Sequence, residues 1–347
     1  MSSQDPFRVA VERDVHGTKM SYEGRLDRLA AEPGIEVVYL PDIQRERLLP
    51  SDLEGANGLI SRKLEVTAET FEGLDDLEVI SRSGAGYDNL DLDACTAAGV
   101  VATHAPQGPT ASVAESTLSL LVQCSHNLHG FERGFREHGF REGRDVEMGH
   151  LLSSRTVGMV GLGRIGVALL ELLEPLGTEV QVHDPYVSTE RVADLGVDPI
   201  DCETLLETSD LVTIHVPLTD ETHHTLGYED FQRMTEDAWL VNTSRGGIYP
   251  DADLARAIEN GELAGAAVDV FEDEPLVEDN PLLDAEGCIV LPHIAGRAHE
   301  TYELTGDIVT EAMVAVRDGE FPANVLNPEV YDRDVPEAKL TSSYQPG

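Results

Sequence analysis

A glycine-rich turn in the middle of the chain constrains the fold more than any other stretch. Residues 156–166 (TVGMVGLGRIG) open with apolar, β-prone residues and tighten into a GxGxxG turn, after which 167–174 (VALLELLE) continue as a helical pattern. In such a unit Gly161 permits a sharp turn, Gly163 lets a pyrophosphate approach the backbone, and Gly166 lets helix and strand pack closely. The N–H groups at the helix start and the positive end of its dipole hold the phosphates. The pattern predicts a dinucleotide-binding unit.

An acidic residue follows the next predicted strand, where a dinucleotide site requires one. Residues 179–183 (EVQVH) form the strand pattern, and Asp184 comes directly after it, 18 residues past Gly166. A carboxylate about 20 residues after the glycines accepts hydrogen bonds from the ribose hydroxyls, and its charge repels the 2′-phosphate of NADP. The alternative is a surface aspartate at a strand end, which is common in so acidic a chain. We expect NAD rather than NADP as the cofactor.

The charge balance of the chain is extreme. Of 347 residues, 65 are acidic and 24 are basic, which gives a formal net charge of −41. The acids are spread along the chain and 41% of the residues are hydrophobic, so the composition is globular rather than disordered. Such a surface repels itself in dilute salt and is tolerated where molar salt screens it. We therefore expect a halophilic source, such as a halophilic archaeon, and the negative field excludes nucleic acid as a partner.

Signals for membranes, disulfides and metals are weak in this sequence. No stretch approaches the ~18 uninterrupted apolar residues of a membrane span, and the N-terminus lacks a signal-peptide pattern. The histidines show no HExxH pattern, and the single tight pair, His223 and His224, is typical of a solvated loop. We expect a cytoplasmic protein without a metal site and with reduced thiols. The four scattered cysteines are Cys95, Cys124, Cys202 and Cys288.

Strand-like and helix-like segments alternate along most of the chain, which predicts parallel sheets with helices on both faces. Because the glycine turn lies in mid-chain, the first hundred residues are expected to form another domain. A long helical stretch is predicted over 110–131. The predicted strands are 7–11, 35–40, 58–60, 77–80 and 100–103 before the turn, and 179–183, 211–216, 238–242, 264–268 and 288–291 after it.

Charged residues follow three of the later predicted strands. Arg245 follows one strand, Asp269 and Glu274 follow the next, and His293 follows a third. Ligands bind at the carboxyl ends of strands in open α/β sheets. A guanidinium there can clamp a carboxylate, and a histidine beside a carboxylate can donate a proton to a carbonyl oxygen. Each residue alone has a structural alternative, such as a surface ion pair or a solvated acidic run, but the set together predicts an active site.

Together these stretches resemble the D-isomer-specific 2-hydroxyacid dehydrogenase family over residues 52–328. The resemblance implies two Rossmann-like doubly wound parallel-sheet α/β domains. It places a discontinuous substrate domain at 1–103 and 299–347, and an NAD-binding domain at 104–298. The matching motifs, besides the glycine turn, are 84–89 (GAGYDN), 112–116 (SVAES), 183–186 (HDPY), 215–219 (HVPLT), 241–247 (VNTSRGG), 267–271 (AVDVF) and 292–296 (PHIAG).

The resemblance also implies roles for individual residues. Arg245 binds the substrate carboxylate, His293 delivers the proton as NADH delivers the hydride, and Glu274 pairs with His293. Asp269 binds the nicotinamide amide. The expected cofactor-binding residues are Gly161, Gly163, Arg164, Ile165, Gly166, Asp184, Val216, Pro217, Thr243 and Asp269. The expected substrate-binding residues are Ser83, Gly84, Ala85, Gly86, Arg245 and His293. Family members are usually dimers through the helix predicted at 110–131, so we expect a homodimer.

The substrate is left open among several classes. Formate dehydrogenases of the family carry glutamine where Glu274 stands, which argues against formate. Phosphoglycerate dehydrogenases carry an arginine that matches Arg82 but an asparagine where this chain has His104, and Arg62 and Lys63 are candidates for binding a phosphate or a second carboxylate. We favour a small 2-oxo acid such as glyoxylate or hydroxypyruvate, with D-3-phosphoglycerate as the alternative. Corepressors of the family, which sense NAD and bind partner peptides, retain the same three residues and form an alternative of another class.

Overall fold

The computed structural model of the protein describes residues 5–13, 26–276 and 279–331. The chain folds into two compact units, which are Met1–Pro109 with Ala298–Gly347 (unit 1) and Thr110–Arg297 (unit 2). Unit 1 is therefore discontinuous in sequence. Residues 332–347 of the predicted substrate domain lie outside the described residues. The assignment of substrate binding to the discontinuous unit stays a prediction.

The secondary structure of the described residues alternates between strands and helices. The strands are β1 (Phe7–Val11), β2 (Ile35–Tyr39), β3 (Gly58–Ser61), β4 (Val79–Arg82), β5 (Val101–His104), β6 (Thr156–Val160), β7 (Glu179–His183), β8 (Asp198–Pro199), β9 (Leu211–Ile214), β10 (Trp239–Asn242), β11 (Gly265–Val268) and β12 (Cys288–Val290). The α-helices are α1 (Asp27–Ala31), α2 (Leu92–Ala97), α3 (Gln107–Ser125), α4 (Leu128–Glu142), α5 (Arg164–Leu173), α6 (Thr189–Asp194), α7 (Cys202–Thr208), α8 (Tyr228–Phe231), α9 (Asp251–Glu259) and α10 (His299–Arg317).

Unit 1 is built on a five-stranded parallel sheet in the order β2-β1-β3-β4-β5. Side chains alternate between the two faces of a strand, and β1 follows this rule. Val9 and Val11 pack in one apolar cluster with Val309 of α10, whereas Ala10 packs in a second cluster with Leu59. The sheet is therefore buried on both faces, and strand order reverses between β1 and β3.

Unit 2 is built on a seven-stranded parallel sheet in the order β12-β11-β10-β9-β6-β7-β8. Met159 of β6 packs in the same apolar cluster as Leu169 of α5 on one face, and Leu240 of β10 packs in the same cluster as Leu254 of α9 on the other. Strand order reverses between β6 and β9. Two parallel-sheet α/β domains are present, so the predicted fold class is confirmed.

Each predicted strand overlaps an observed one, but the prediction of a single helix over 110–131 is wrong. The helix α3 ends at Ser125, and α4 begins at Leu128. Between them Asn127 has a φ of 50°, in the left-handed region that asparagine tolerates better than most residues. Its side chain donates to the Glu147 carbonyl at 2.9 Å. The chain therefore turns at Asn127, and α4 runs from Leu128 to Glu142.

The described residues contain neither a disulfide nor a helix that could span a membrane. All four cysteines lie within that part, and none forms a disulfide. No helix there is long and apolar enough to cross a membrane.

Candidate functional site

The glycine turn between β6 and α5 has the geometry that a pyrophosphate site needs. Gly161 has a φ of 96°, and a Cβ on it would lie 2.9 Å from the His215 backbone. A Cβ on Gly166 would lie 2.8 Å from the Gly161 carbonyl oxygen. By contrast, a Cβ on Gly163 would meet no atom within 4 Å. The first and third glycines are therefore required by the fold, whereas the second keeps a space open beside the helix start.

The turn lies where strand order reverses in unit 2. The backbone N–H of His215, directly after β9, donates to the Val160 carbonyl at the end of β6 at 2.7 Å. In open α/β sheets ligands bind at this crevice. Burial lowers the pKa of His215 to about 4, so its imidazole is neutral at pH 7. The predicted cofactor-binding residues Val216 and Pro217 follow it directly.

Asp184 follows β7 and is bonded to the glycine turn. One carboxylate oxygen accepts the Leu162 N–H at 2.8 Å, and the other accepts the Tyr186 N–H at 2.9 Å. The two amides thus fix the carboxylate beside the turn. Three further predicted cofactor-binding residues are Arg164 and Ile165, which begin α5, and Thr243, whose hydroxyl lies 2.7 Å from that of Thr117.

Arg245 lies on a loop after β10 that is held by a buried amide. The Asn242 side chain donates to the Arg245 carbonyl at 2.9 Å, and its oxygen accepts the N–H and hydroxyl of Ser244 at 3.0 and 2.8 Å. Arg245 Nη1 donates to the Ser244 carbonyl at 2.7 Å. Asn242 was not predicted to be a site residue. The available sequence signal was an asparagine at the end of an apolar strand pattern, because an amide buried there needs several hydrogen-bond partners.

His293 and Glu274 form the central pair of the site. His293 Nδ1 lies 2.6 Å from a Glu274 carboxylate oxygen, and the other Glu274 oxygen accepts the Phe271 N–H at 3.3 Å. Burial alone would raise the pKa of Glu274, but the His293 hydrogen bond and charge, the Phe271 amide and the Arg245 charge together lower it. An ionised carboxylate only accepts hydrogen bonds. Nδ1 therefore carries the proton, and Nε2 is left to exchange one.

Asp269 fixes the loop that carries His293. Its two carboxylate oxygens accept the N–H groups of Ile294 and Ala295 at 2.7 Å each, and its carbonyl accepts the His293 N–H at 2.9 Å. Asp269 is fully buried; burial raises its pKa, and the two amides oppose that shift. His293 has a φ of 54°, which is uncommon for a residue other than glycine. The Asp269 bonds hold the loop in this conformation.

Two serines hold the same loop from α3. The hydroxyls of Ser112 and Ser116 donate to the Ala295 carbonyl at 2.8 and 3.0 Å. In the sequence both serines belong to the family motif at 112–116, and neither was predicted to be a site residue. Their spacing of four places both hydroxyls on one face of a helix, and this spacing is the sequence signal that could have indicated a shared acceptor.

The predicted residues of unit 1 surround the turn after β4. The Arg82 guanidinium donates to the Ser83 carbonyl, and His104 Nδ1 lies 2.8 Å from the Ala85 carbonyl oxygen, which the ring therefore binds as a donor. The backbone amides of Arg62 and Lys63, by contrast, donate to the buried carboxylate of Glu12 at 2.7 and 2.8 Å.

Unit 2 thus brings together Arg245, Asp269, Glu274 and His293 at the carboxyl ends of β10, β11 and β12, with the glycine turn on the same sheet. Among the described residues, no cluster of three or more histidine, cysteine or acidic side chains is arranged to hold a metal ion. The fold and the glycine turn are those of a dinucleotide-binding α/β protein, and the His293–Glu274 pair lies at strand ends of the same sheet.

Comparison with known proteins narrows this class. The chain matches the model of the D-isomer specific 2-hydroxyacid dehydrogenase NAD binding domain over residues 118–295. The glyoxylate reductase of Korarchaeum cryptofilum is 37% identical over 267 residues, which cover 76% of this chain and 80% of that protein. The chain belongs to the D-isomer specific 2-hydroxyacid dehydrogenase family. The family and the nicotinamide dinucleotide cofactor were both predicted from the sequence, and both predictions are confirmed.

Two further relatives are named for different substrates. The D-3-phosphoglycerate dehydrogenase of Archaeoglobus fulgidus is 35% identical over 294 residues, and the match covers 85% of this chain but 55% of that protein. This chain thus spans about half the length of that relative. The structure of the NADPH-dependent glyoxylate/hydroxypyruvate reductase of Sinorhizobium meliloti, in complex with NADP and malonate, is similar with a TM-score of 0.79 at 27% identity. That similarity covers 94% of this chain and 98% of the reductase.

Proposed function

We propose that this protein is an oxidoreductase that uses NAD(H) to interconvert a small 2-oxo acid and the corresponding D-2-hydroxy acid. The observation that carries the proposal is the 2.6 Å pair of His293 Nδ1 and Glu274, on the same sheet as the glycine turn. This pair leaves Nε2 of a histidine as a proton donor, with an arginine close enough to lower the pKa of Glu274. Such a set suits the reduction of a carbonyl beside a carboxylate.

Each residue has a distinct part in the proposed reaction. Arg245 binds the substrate carboxylate as a two-pronged donor and polarises the 2-oxo group. His293 gives its Nε2 proton to the carbonyl oxygen, and Glu274 stabilises the imidazolium that donates it and fixes its tautomer. NAD(H), when bound, supplies or accepts the hydride. The backbone amides of Ser83 to Gly86 are further proposed donors to the substrate carboxylate, and Asp269, whose oxygens each retain a second lone pair, is the proposed partner of the nicotinamide amide.

Glyoxylate or hydroxypyruvate is the favoured substrate. The glyoxylate reductase relative is matched over 80% of its length, whereas the phosphoglycerate dehydrogenase relative is matched over 55%. The amides of Arg62 and Lys63 are bonded to Glu12, which places a negative charge beside the residues considered for a phosphate. D-3-phosphoglycerate remains the second candidate, because Arg82 ends β4 beside the Ser83–Gly86 turn.

NADH is proposed over NADPH because of Asp184. Its carboxylate is fixed by the Leu162 and Tyr186 amides, and a 2′-phosphate beside it would be repelled. The S. meliloti reductase, at 27% identity, is described as NADPH-dependent, so this preference is a property of the particular residues rather than of the fold.

We further propose that the protein is a cytoplasmic homodimer from a halophilic organism. Large apolar side chains are exposed on and after α4, where Phe135, Phe140 and Met148 are 55%, 71% and 81% exposed. Such a patch marks an interaction surface.

The net charge of −41 requires screening by salt. Light scattering and thermal melting across a KCl series test this, with a rising melting temperature and a dimeric mass expected at molar KCl; a melting temperature independent of salt would contradict it.

A turnover assay tests the proposed activity. Purified protein in molar KCl is mixed with NADH and a panel of glyoxylate, hydroxypyruvate and phosphohydroxypyruvate, and the absorbance of NADH is followed. The proposal expects turnover with glyoxylate or hydroxypyruvate. Faster turnover of phosphohydroxypyruvate would favour D-3-phosphoglycerate as the corresponding hydroxy acid. Tight NADH binding without turnover of any acid would favour an NAD-sensing, corepressor-like binding protein.

A further inference from the structure

Glu272, two residues before Glu274, contacts two other segments of unit 2 through its carboxylate. One oxygen accepts the Asp251 N–H at 2.7 Å, and the other lies 2.8 Å from His224 Nε2. The Glu272 side chain is 32% exposed. It therefore differs from a freely solvated acid, because both of its oxygens are engaged, one of them by a backbone amide.

The contact between Glu272 and Asp251 runs in both directions. The Glu272 N–H donates to the Asp251 carboxylate at 3.2 Å, and the Asn280 side chain donates to the same oxygen at 2.7 Å. Asp251 is 3% exposed and begins α9. The backbone before Glu274 is thus joined to a helix by reciprocal hydrogen bonds, one from each main chain to the other side chain.

His224 extends the same network to the loop of Arg245. Its backbone N–H donates to the Gly247 carbonyl at 2.8 Å, while its ring binds Glu272. A Cβ on Gly246 would collide with the Phe271 carbonyl, so the Arg245 loop packs directly on the turn that carries Glu274. One network therefore holds both segments that present the proposed catalytic groups.

We propose that Glu272, together with His224 and Asp251, forms a brace that positions Glu274 and Arg245. Glu272 is the central positioning residue of this brace, and the inference rests on the proposed function. A misplacement of about 1 Å at a reacting centre can cost ~10²-fold in rate. If the turn from Phe271 to Glu274 shifts, the 2.6 Å bond that fixes the His293 tautomer is weakened. The brace therefore acts on the chemistry without touching the substrate.

The alternative is that these contacts only stabilise unit 2. The variant Glu272→Ala distinguishes a positioning role from a purely structural one. The control is Glu262→Ala, because Glu262 also accepts two side-chain hydrogen bonds, from Tyr228 and Gln232, at 2.9 and 3.1 Å. We expect Glu272→Ala to lower kcat by about 10- to 100-fold and Glu262→Ala to leave it within about twofold. Glu272→Gln keeps an oxygen for the Asp251 amide and should recover part of the loss.

A readout that does not depend on turnover completes the test. Nitrogen NMR of the imidazoles, with the His293 signal assigned from a His293→Asn variant, reports which ring nitrogen carries the proton. We expect the Nδ1–H form in the wild type and a mixture in Glu272→Ala. The brace is refuted if kcat, KM and the tautomer are unchanged in a folded Glu272→Ala protein. An inactive wild type that shows the tautomer change would instead refute the proposed function and leave the brace intact.

Discussion

Both sheets of this protein reverse their strand order once, but the crevice at the reversal is occupied in unit 1 and open in unit 2. In unit 1 the reversal lies between β1 and β3, and the N–H groups of Arg62, Lys63 and Leu64 after β3 donate to the Glu12 carboxylate at 2.7, 2.8 and 3.0 Å. In unit 2 the reversal lies between β6 and β9, and the position of Gly163 faces open space. The chain fills one crevice with its own anion and leaves the other open for the anion of a ligand.

This difference shows that the architecture alone does not make a binding site. Successive backbone amides attract an anion wherever they converge, and a buried glutamate satisfies them as well as a phosphate does. In unit 2 we expect ligand binding to depend on glycines that keep side chains out of the crevice, as the open space at Gly163 indicates. The proposed catalysis uses charged residues at neighbouring strand ends, so the proposed function is argued from the site rather than from the fold.

The largest effect is expected from His293→Ala, which would leave both sheets intact but remove the proton donor from unit 2. We expect kcat to fall by about 10²–10⁴-fold, with the affinity for NADH nearly unchanged. Steady-state rates and NADH fluorescence titration measure the two quantities. Retained turnover would show that the proton comes from another group.

The next largest effect is expected on the preference between NADH and NADPH in unit 2. The charge of Asp184 should disfavour NADPH by about 1–4 kcal/mol relative to NADH. Asp184→Ser, combined with a basic neighbour, should shift the ratio of kcat/KM values toward NADPH. Equal kcat/KM for the two cofactors in the wild type would mean that Asp184 does not determine the preference.

Glu12→Gln tests the crevice of unit 1, which the Glu12 carboxylate occupies. Glutamine has the same shape but sets an NH₂ group against a backbone donor, so we expect a loss of about 1–3 kcal/mol in the free energy of unfolding of unit 1. Hydrogen exchange of the β1 and β3 amides measures it.

Gly163→Ala in unit 2 is the matched control for Glu12→Gln. It adds a methyl group where no atom lies within 4 Å, so folding stability should hold while the Kd for NADH rises about tenfold, which is ~1.4 kcal/mol. The comparison of the two crevices is wrong if Glu12→Gln weakens NADH binding as much as Gly163→Ala does.

The smallest effect concerns pH. Because His293, Phe271 and Arg245 lower the pKa of Glu274 against the effect of burial, the stability that this pair contributes is complete above the ordinary glutamate pKa of about 4.3. It is lost only as the pH falls through the lowered value. A carbon NMR titration of the Glu274 carboxyl should give a midpoint below ~4.3. A midpoint above that value would show that burial outweighs the His293 bond.

Patterns that are local in sequence could be predicted here, and contacts between distant residues could not. Strand alternation and the GxGxxG spacing are local, and both led to the observed sheets and turn. The bond from Glu12 to the amides about 50 residues later has no local signature. The same holds for the bonds from Ser112 and Ser116 to Ala295, which join segments about 180 residues apart. The helix break at Asn127 was missed because one left-handed residue leaves the apolar pattern almost unchanged.

The most direct test of the central claim is a single turnover with NADH deuterated at C4 of the nicotinamide and glyoxylate as the acceptor. In the proposed reaction the C4–²H bond breaks, a C2–²H bond forms, and the hydroxyl proton comes from His293. The account predicts glycolate with deuterium at C2 from the wild type and almost none from His293→Ala in the same time. Bound NADH that transfers no deuterium to glyoxylate, hydroxypyruvate or phosphohydroxypyruvate would contradict it.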